Sequence, residues 1–170
     1  NALYRTAAIN ELFEGWAADG TMKTEQLDIQ DGNWSSDKGK DVMDAWNVKF
    51  GDEIEAVLCN NDTMAMGAIE SLKTAGAFDD GNGPLVYGIN GIPDVWEMIE
   101  DGYMAGTVLT SPYREAKIII DMAKNITDGK DALDGTDYKW GEFGKDVRVD
   151  DVAITKETLK IAQDDYAACM

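Results

Sequence analysis

Apolar residues recur along the chain at helical spacing, separated by short apolar runs. Leu3, Ala7, Ala8, Leu12 and Trp16 recur at steps of about one helical turn and predict an amphipathic helix over 3–18, ended by Gly20. Thr24 to Ile29 alternates and predicts a strand, followed by an Asp31-Gly32-Asn33 loop. Ser35, Ser36 and Asp37 offer caps for a helix to about Phe50, with Val42, Met43 and Trp46 inward. Ile54 to Cys59 reads as a strand, and a helix over 63–74 follows, closed by Gly76. Leu85 to Ile89 and Met104 to Leu109 are further strands, with a helix from Pro93 to about Glu100 between them. A long helix spans 113–127, residues 131–146 are polar and irregular, and strand pieces at 147–149 and 152–154 precede a last helix over 155–166.

Strands alternating with helices predict βαβ units around a parallel sheet, an α/β fold of Rossmann-like kind. Ligands of such sheets sit at the carboxyl ends of the strands. Those ends are Asp28 to Trp34, Asn60 to Asp62, Asn90 to Ile92 and Thr110 to Tyr113. They hold amides, hydroxyls and aromatics, and none is a glycine-rich phosphate loop.

Composition narrows the chemistry. Fifteen Lys and Arg stand against 33 Asp and Glu, a net charge of −18 over 170 residues, with no His. The acidic balance argues against nucleic acid and anionic membrane surfaces, which need a basic surplus. The lack of His removes Ser-His-Asp and Cys-His catalysis and His-ligated zinc. Cys59 in a core strand and Cys169 near the chain end are poorly placed for a disulfide. No apolar run approaches the ~18 residues of a membrane span.

The strand ends carry the candidate residues, each open to two readings. Asn61 or Asp62 can cap the following helix, or an amide there can donate to and accept from a sugar hydroxyl. Trp34 is either a staple for the next helix or a flat platform for a sugar ring. Arg5 is either a solvated arginine or a forked donor to hydroxyls. Glu55 is an edge carboxylate that by itself falls far short of a calcium site. An unrelated α/β enzyme would need an acidic cluster such as Asp62 with Asp94 or Asp28.

In order, several segments resemble the glucose/galactose-binding branch of the type I periplasmic binding proteins. They are Lys23-Thr24-Glu25-Gln26-Leu27, Met43-Asp44-Ala45-Trp46, Asn60 through Ala68, Ala105-Gly106-Thr107-Val108-Leu109, Asp128-Gly129-Lys130 and Val147-Arg148-Val149. The likeness runs from about Arg5 to Leu159. It implies an extracytoplasmic receptor, not an enzyme, whose two α/β lobes close on a monosaccharide for an ABC importer permease or a chemoreceptor. It is commonly a cell-surface lipoprotein or a periplasmic protein. By this likeness Trp34 stacks on the sugar, Arg5 hydrogen-bonds its hydroxyls, Asn61 is a ligand-binding amide, and Glu55 completes a calcium site. Asn1, Asn90 and Thr110 fall at ligand positions but replace the usual Asp, Asp and Asn, so glucose or galactose is not to be assumed.

The likeness also implies a fragment. Residues 1–109 would be the C-terminal sugar-binding lobe without its first strand. Residues 110–147 would cross the hinge and carry a helix of the N-terminal lobe, whose remainder is missing, and 148–170 would return. A sugar-sensing core of a transcriptional regulator shares this architecture and is the alternative.

Overall fold

The computed structural model describes residues 2–170. In order these form α1 (Ala2–Asp19), α2 (Ser36–Phe50), β1 (Ala56–Leu58), α3 (Asp62–Thr74), β2 (Leu85–Tyr87), α4 (Trp96–Glu100), β3 (Thr107–Leu109), α5 (Pro112–Thr127), β4 (Val152–Ile154) and α6 (Leu159–Ala167). Three helices begin where side chains satisfy their first N–H groups. Ser35 accepts from the Lys38 N–H at α2, Asn61 from Met64 at α3, and Ser111 from Arg114 at α5. Such caps contribute about 1 kcal/mol each.

The strands are in parallel order up to the last. β1 pairs with β2 in parallel, Val57 opposite Val86. Beyond Tyr87 the β2 chain runs beside β3, with parallel bridges Tyr87 to Gly106 and Asn90 to Leu109. β4 then adds antiparallel to β3, Val108 opposite Ala153. An antiparallel edge strand on a parallel sheet is a common arrangement.

The core lies on one face of this sheet. Val57 and Val86 are buried with Met43 of α2, Ala65, Ala68, Ile69 and Leu72 of α3, and Ile99, Met104, Leu109 and Ile154. Two glycines let α2 and α3 touch backbone to backbone. A Cβ on Gly67 would strike the Ser36 carbonyl, and one on Gly39 would lie 2.5 Å from Met64 O. The opposite face is open: Ala56, Leu58, Leu85 and Tyr87 are exposed.

Four sequence expectations are corrected. The 24–29 segment carries no strand and pairs with none of the described strands. A groove of about 1360 Å³ is lined by this segment, α1 and β1. The helix over α1 forms, yet the face it turns inward is Arg5, Thr6, Ile9, Phe13 and Trp16, while Leu3, Ala7, Ala8 and Leu12 are exposed. The sequence offers apolar residues on both faces, and the one turned inward also carries the Arg5 and Thr6 hydrogen bonds with Asn60. Residues 147–149 form only a single bridge, Val147 to Trp140. The last helix starts at Leu159, since Thr158 Oγ1 takes the Thr155 N–H and closes a separate turn first.

Candidate functional site

The ends of β1, β2 and β3 and the loop before α2 meet at the carboxyl edge of the sheet. Trp34 sits in that loop with φ of 59° after Asn33 with φ of 47°. A left-handed backbone is unusual for a bulky residue and marks a constrained turn. Asp31 holds the turn by accepting from Asn33 N–H at 2.8 Å, and the Ser35 N–H donates to Gly32 O at 3.0 Å. Trp34 is 42% exposed.

Asn61 binds this loop to α3. Its Oδ1 accepts from Met64 N–H at 3.0 Å and its Nδ2 donates to Trp34 O at 3.4 Å. The capping reading of Asn61 is therefore realised, and one amide N–H remains for another acceptor. Arg5 completes the group from α1. Its Nη1 donates to Asn60 O at 2.5 Å, and its guanidinium carbon lies 5.9 Å from the Trp34 ring centroid. Asn60 Nδ2 in turn donates to Thr6 Oγ1 at 2.9 Å.

Asn90 and Thr110 lie together at the next two strand ends. Thr110 N–H donates to Asn90 O at 3.3 Å, and Asn90 N–H donates to Val108 O at 2.8 Å. Asn90 has φ of 129°, a conformation that L side chains rarely adopt. Asn1 lies outside the described residues. Glu55 stands at the amino end of β1, away from the carboxyl edge, and is exposed. Calcium takes six to eight oxygens. Among the described residues no group of three acidic, Cys or His side chains gathers that could hold a metal, so Glu55 here supplies one carboxylate and not a cage.

Asp62 is fully buried at the start of α3. It accepts from Thr107 Oγ1 at 2.6 Å and from Ile92 N–H at 3.0 Å. Burial pushes its carboxyl above the usual range, opposed by these donors and by Arg5. Neither Asp28 nor Asp94 joins it. Asp28 accepts from Trp46 Nε1 at 3.2 Å and Lys49 Nζ at 3.4 Å, and Asp94 is exposed. Cys59 beside it is a free thiol pushed up to about 12, first by burial and then by Asp62. A thiol held protonated is a poor nucleophile.

The cluster thus offers amide, hydroxyl and guanidinium donors with an indole face, which suits a neutral polyol. Gly39, Gly67 and Thr107 also shape the site and are not among the residues expected from the sequence. Isolated glycines inside two helical patterns were the available signal for the first two; nothing local marks Thr107.

The periplasmic binding protein domain profile matches residues 1–131. The chain belongs to the periplasmic binding protein family. Within it, this type I periplasmic binding protein is 34% identical over 139 residues to the D-galactose/methyl-galactoside binding periplasmic protein MglB of Haemophilus influenzae, covering 81% of this chain and 40% of that protein. It is 31% identical over 126 residues to the ribose import binding protein RbsB of Salmonella typhimurium, covering 74% and 41%. A solved periplasmic solute binding protein of an ABC transporter from Actinobacillus succinogenes, with bound D-allose, has a TM-score of 0.63 at 25% identity over 76% of this chain and 40% of that one. The arabinose-transporter binding protein of Shewanella shares the fold with a TM-score of 0.73 at 23% identity, over 99% and 51%. The chain spans about 40% of the length of these curated relatives. No described helix is long and apolar enough to cross a membrane.

Proposed function

We propose that this chain forms the larger part of the C-terminal lobe of an extracytoplasmic receptor that captures a monosaccharide for an ABC importer permease. The observation that carries the reading is the Arg5, Trp34 and Asn61 group at the carboxyl edge, with the indole held in a constrained turn and half open. Nothing in the group is arranged for chemistry: Asp62 has no second carboxylate as a hydrogen-bond neighbour, and the thiol beside it is protonated. These features support a reading of binding without turnover. The names of the galactose, ribose and allose binders support the sugar class, and Asn90 and Thr110 leave the particular sugar open.

The division 1–109, 110–147 and 148–170 goes with this reading. β4 returns beside β3, which suits a chain that has left the lobe and come back. Between them α5 turns Ile118 and Asn125 inward and leaves Ile119, Ile120 and Ile126 at 65%, 66% and 61% exposure. An exposed isoleucine stripe of this kind suits cover by the rest of an N-terminal lobe. For that larger protein the family resemblance alone implies a lipid anchor, a chemoreceptor partner and calcium at Glu55.

Calorimetry of the intact protein with aldohexoses, pentoses and their furanose-forming relatives tests the proposal. Saturable one-to-one binding without product is expected. No heat with any sugar at millimolar concentration overturns it.

A further inference from the structure

Asn90 is a non-glycine residue at φ of 129°. Such backbone persists only where the surroundings over-determine it. The surroundings here converge on one buried carboxylate. Asp62 takes hold of both flanks of Asn90. Its own N–H donates to Ile89 O at 2.9 Å, on the near side. Its Oδ2 accepts from Ile92 N–H at 3.0 Å, on the far side. Its Oδ1 accepts from Thr107 Oγ1 at 2.6 Å, and the same Thr107 oxygen accepts from Gly91 N–H at 3.3 Å. Trp96 Nε1 closes the turn on Gly91 O at 3.2 Å. Room for this approach is made by Gly88, where a Cβ would lie 3.0 Å from Asp62 Cα and 2.8 Å from Met104 Cε.

We propose that Asp62 and Thr107 are positioning residues that hold Asn90 in its strained backbone, so that its side chain is presented to ligand at a fixed angle. A helix cap alone does not account for the arrangement. Capping of α3 is already done by Asn61. A solvated aspartate would serve a cap, whereas this one is fully buried and its oxygens face a loop thirty residues on and a strand forty-five residues on. The hydroxyl of Thr107 has to donate to Asp62 and accept from Gly91 together, which only a hydroxyl does. The consequence for specificity is that Asn90 acts through a preset orientation and not through an adaptable loop.

This rests on the sugar-binding reading for its ligand but not for its geometry, and the test separates the two. In the intact protein, Thr107→Val keeps the shape and removes the hydroxyl; Thr107→Ser restores it. Amide hydrogen exchange at Gly91 and Ile92 is expected to quicken at least tenfold in Thr107→Val, with Val86 unchanged, and to return in Thr107→Ser. Affinity for the best monosaccharide of the panel is expected to fall at least tenfold in Thr107→Val and to recover within about threefold in Thr107→Ser. A purely structural residue would lower Tm and leave that affinity unchanged in the folded protein. If Thr107→Val does not fold, Asp62→Asn gives the same two readouts. Its amide offers one acceptor where two donors now converge, so exchange at Ile92 or Gly91 quickens. Unchanged exchange in the variant overturns the proposal, and so does quickened exchange with unchanged affinity. If the wild-type protein binds no sugar, the functional reading fails, and the exchange rates still decide whether the clamp exists.

Discussion

Helices α1 and α3 both reach the end of β1, and they reach it in different ways. α3 buries Asp62, Ala65, Gly67, Ala68, Ile69, Ser71 and Leu72, and approaches α2 closely enough that a single Cβ would collide. α1 buries none of its residues and is tied at this end by the Arg5 and Thr6 hydrogen bonds to Asn60. Burial of apolar area is what fixes a helix in water, and hydrogen bonds at its surface add little. The Trp34 and Asn61 side of the site is therefore preset by packed backbone, while Arg5 arrives on an element whose position is weakly determined.

The largest break in this comparison comes from the packed side. Gly67→Ala puts a methyl into the Ser36 carbonyl, and neither backbone can yield without parting the helices. We expect a loss of about 3 kcal/mol in unfolding free energy, read from the denaturant midpoint. Ligand affinity should fall with it, because Ser36 follows the Trp34 turn directly. An alanine tolerated here without loss would mean that the two helices sit farther apart.

Trp34→Ala separates binding from packing. The indole is half open and holds its turn through backbone groups, so Tm should change little. Sugar affinity should weaken by about 1–3 kcal/mol, the scale of stacking on an aromatic face. Equal loss of stability and affinity would return Trp34 to the role of a helix staple.

The same contrast explains what the sequence disclosed. Elements with one consistent pattern were legible: the β1–α3 and β2–α4 units, and the caps Ser35 and Asn61. So was the grouping at strand ends, because a parallel sheet places successive carboxyl ends side by side. The facing of α1 is not legible, since Leu3 and Leu12 compete with Ile9 and Phe13 for the interior and nothing local decides. The strand expected over 24–29 does not form, because alternation describes a strand's faces and says nothing of whether a partner edge is there. Asp62 could be seen as a polar residue in a trio, but its burial depends on Thr107, forty-five positions away.

Acid should act on the two sides with opposite sign. Asp62 has its carboxyl raised by burial, so its ionisation opposes folding; this cost sets in as pH rises through the unfolded value and is relieved as pH falls below the folded one. Asp28 on the loop side is lowered, first by the Ile29 N–H, so its contribution is present above the unfolded value and lost as pH falls through the folded one. Asp28→Asn should therefore flatten the acid limb of a stability curve, and Asp62→Asn should steepen it. The size is below that of the glycine substitution, and urea midpoints between pH 3 and 7 would resolve it.

The smallest effect falls on α1. Leu12 is 55% exposed and Leu3 78%. In the 170-residue chain Leu12→Ala should shift stability by no more than about 0.5 kcal/mol, as exposed substitutions do. The same change in the intact protein is the sharper measurement. Exposed Leu58, Leu85 and Tyr87 form an apolar face of the sheet at the far side from α3, and the stripe Leu3, Ala7, Ala8 and Leu12 is an unpartnered apolar face on a helix with little to hold it. If the intact protein brings such a stripe into contact, truncating Leu12 there should destabilise by about 2 kcal/mol or more, in the range of buried leucines. A near-zero effect in both would leave α1 as the loosely held side of the proposed site, with Arg5 free to move toward a ligand there.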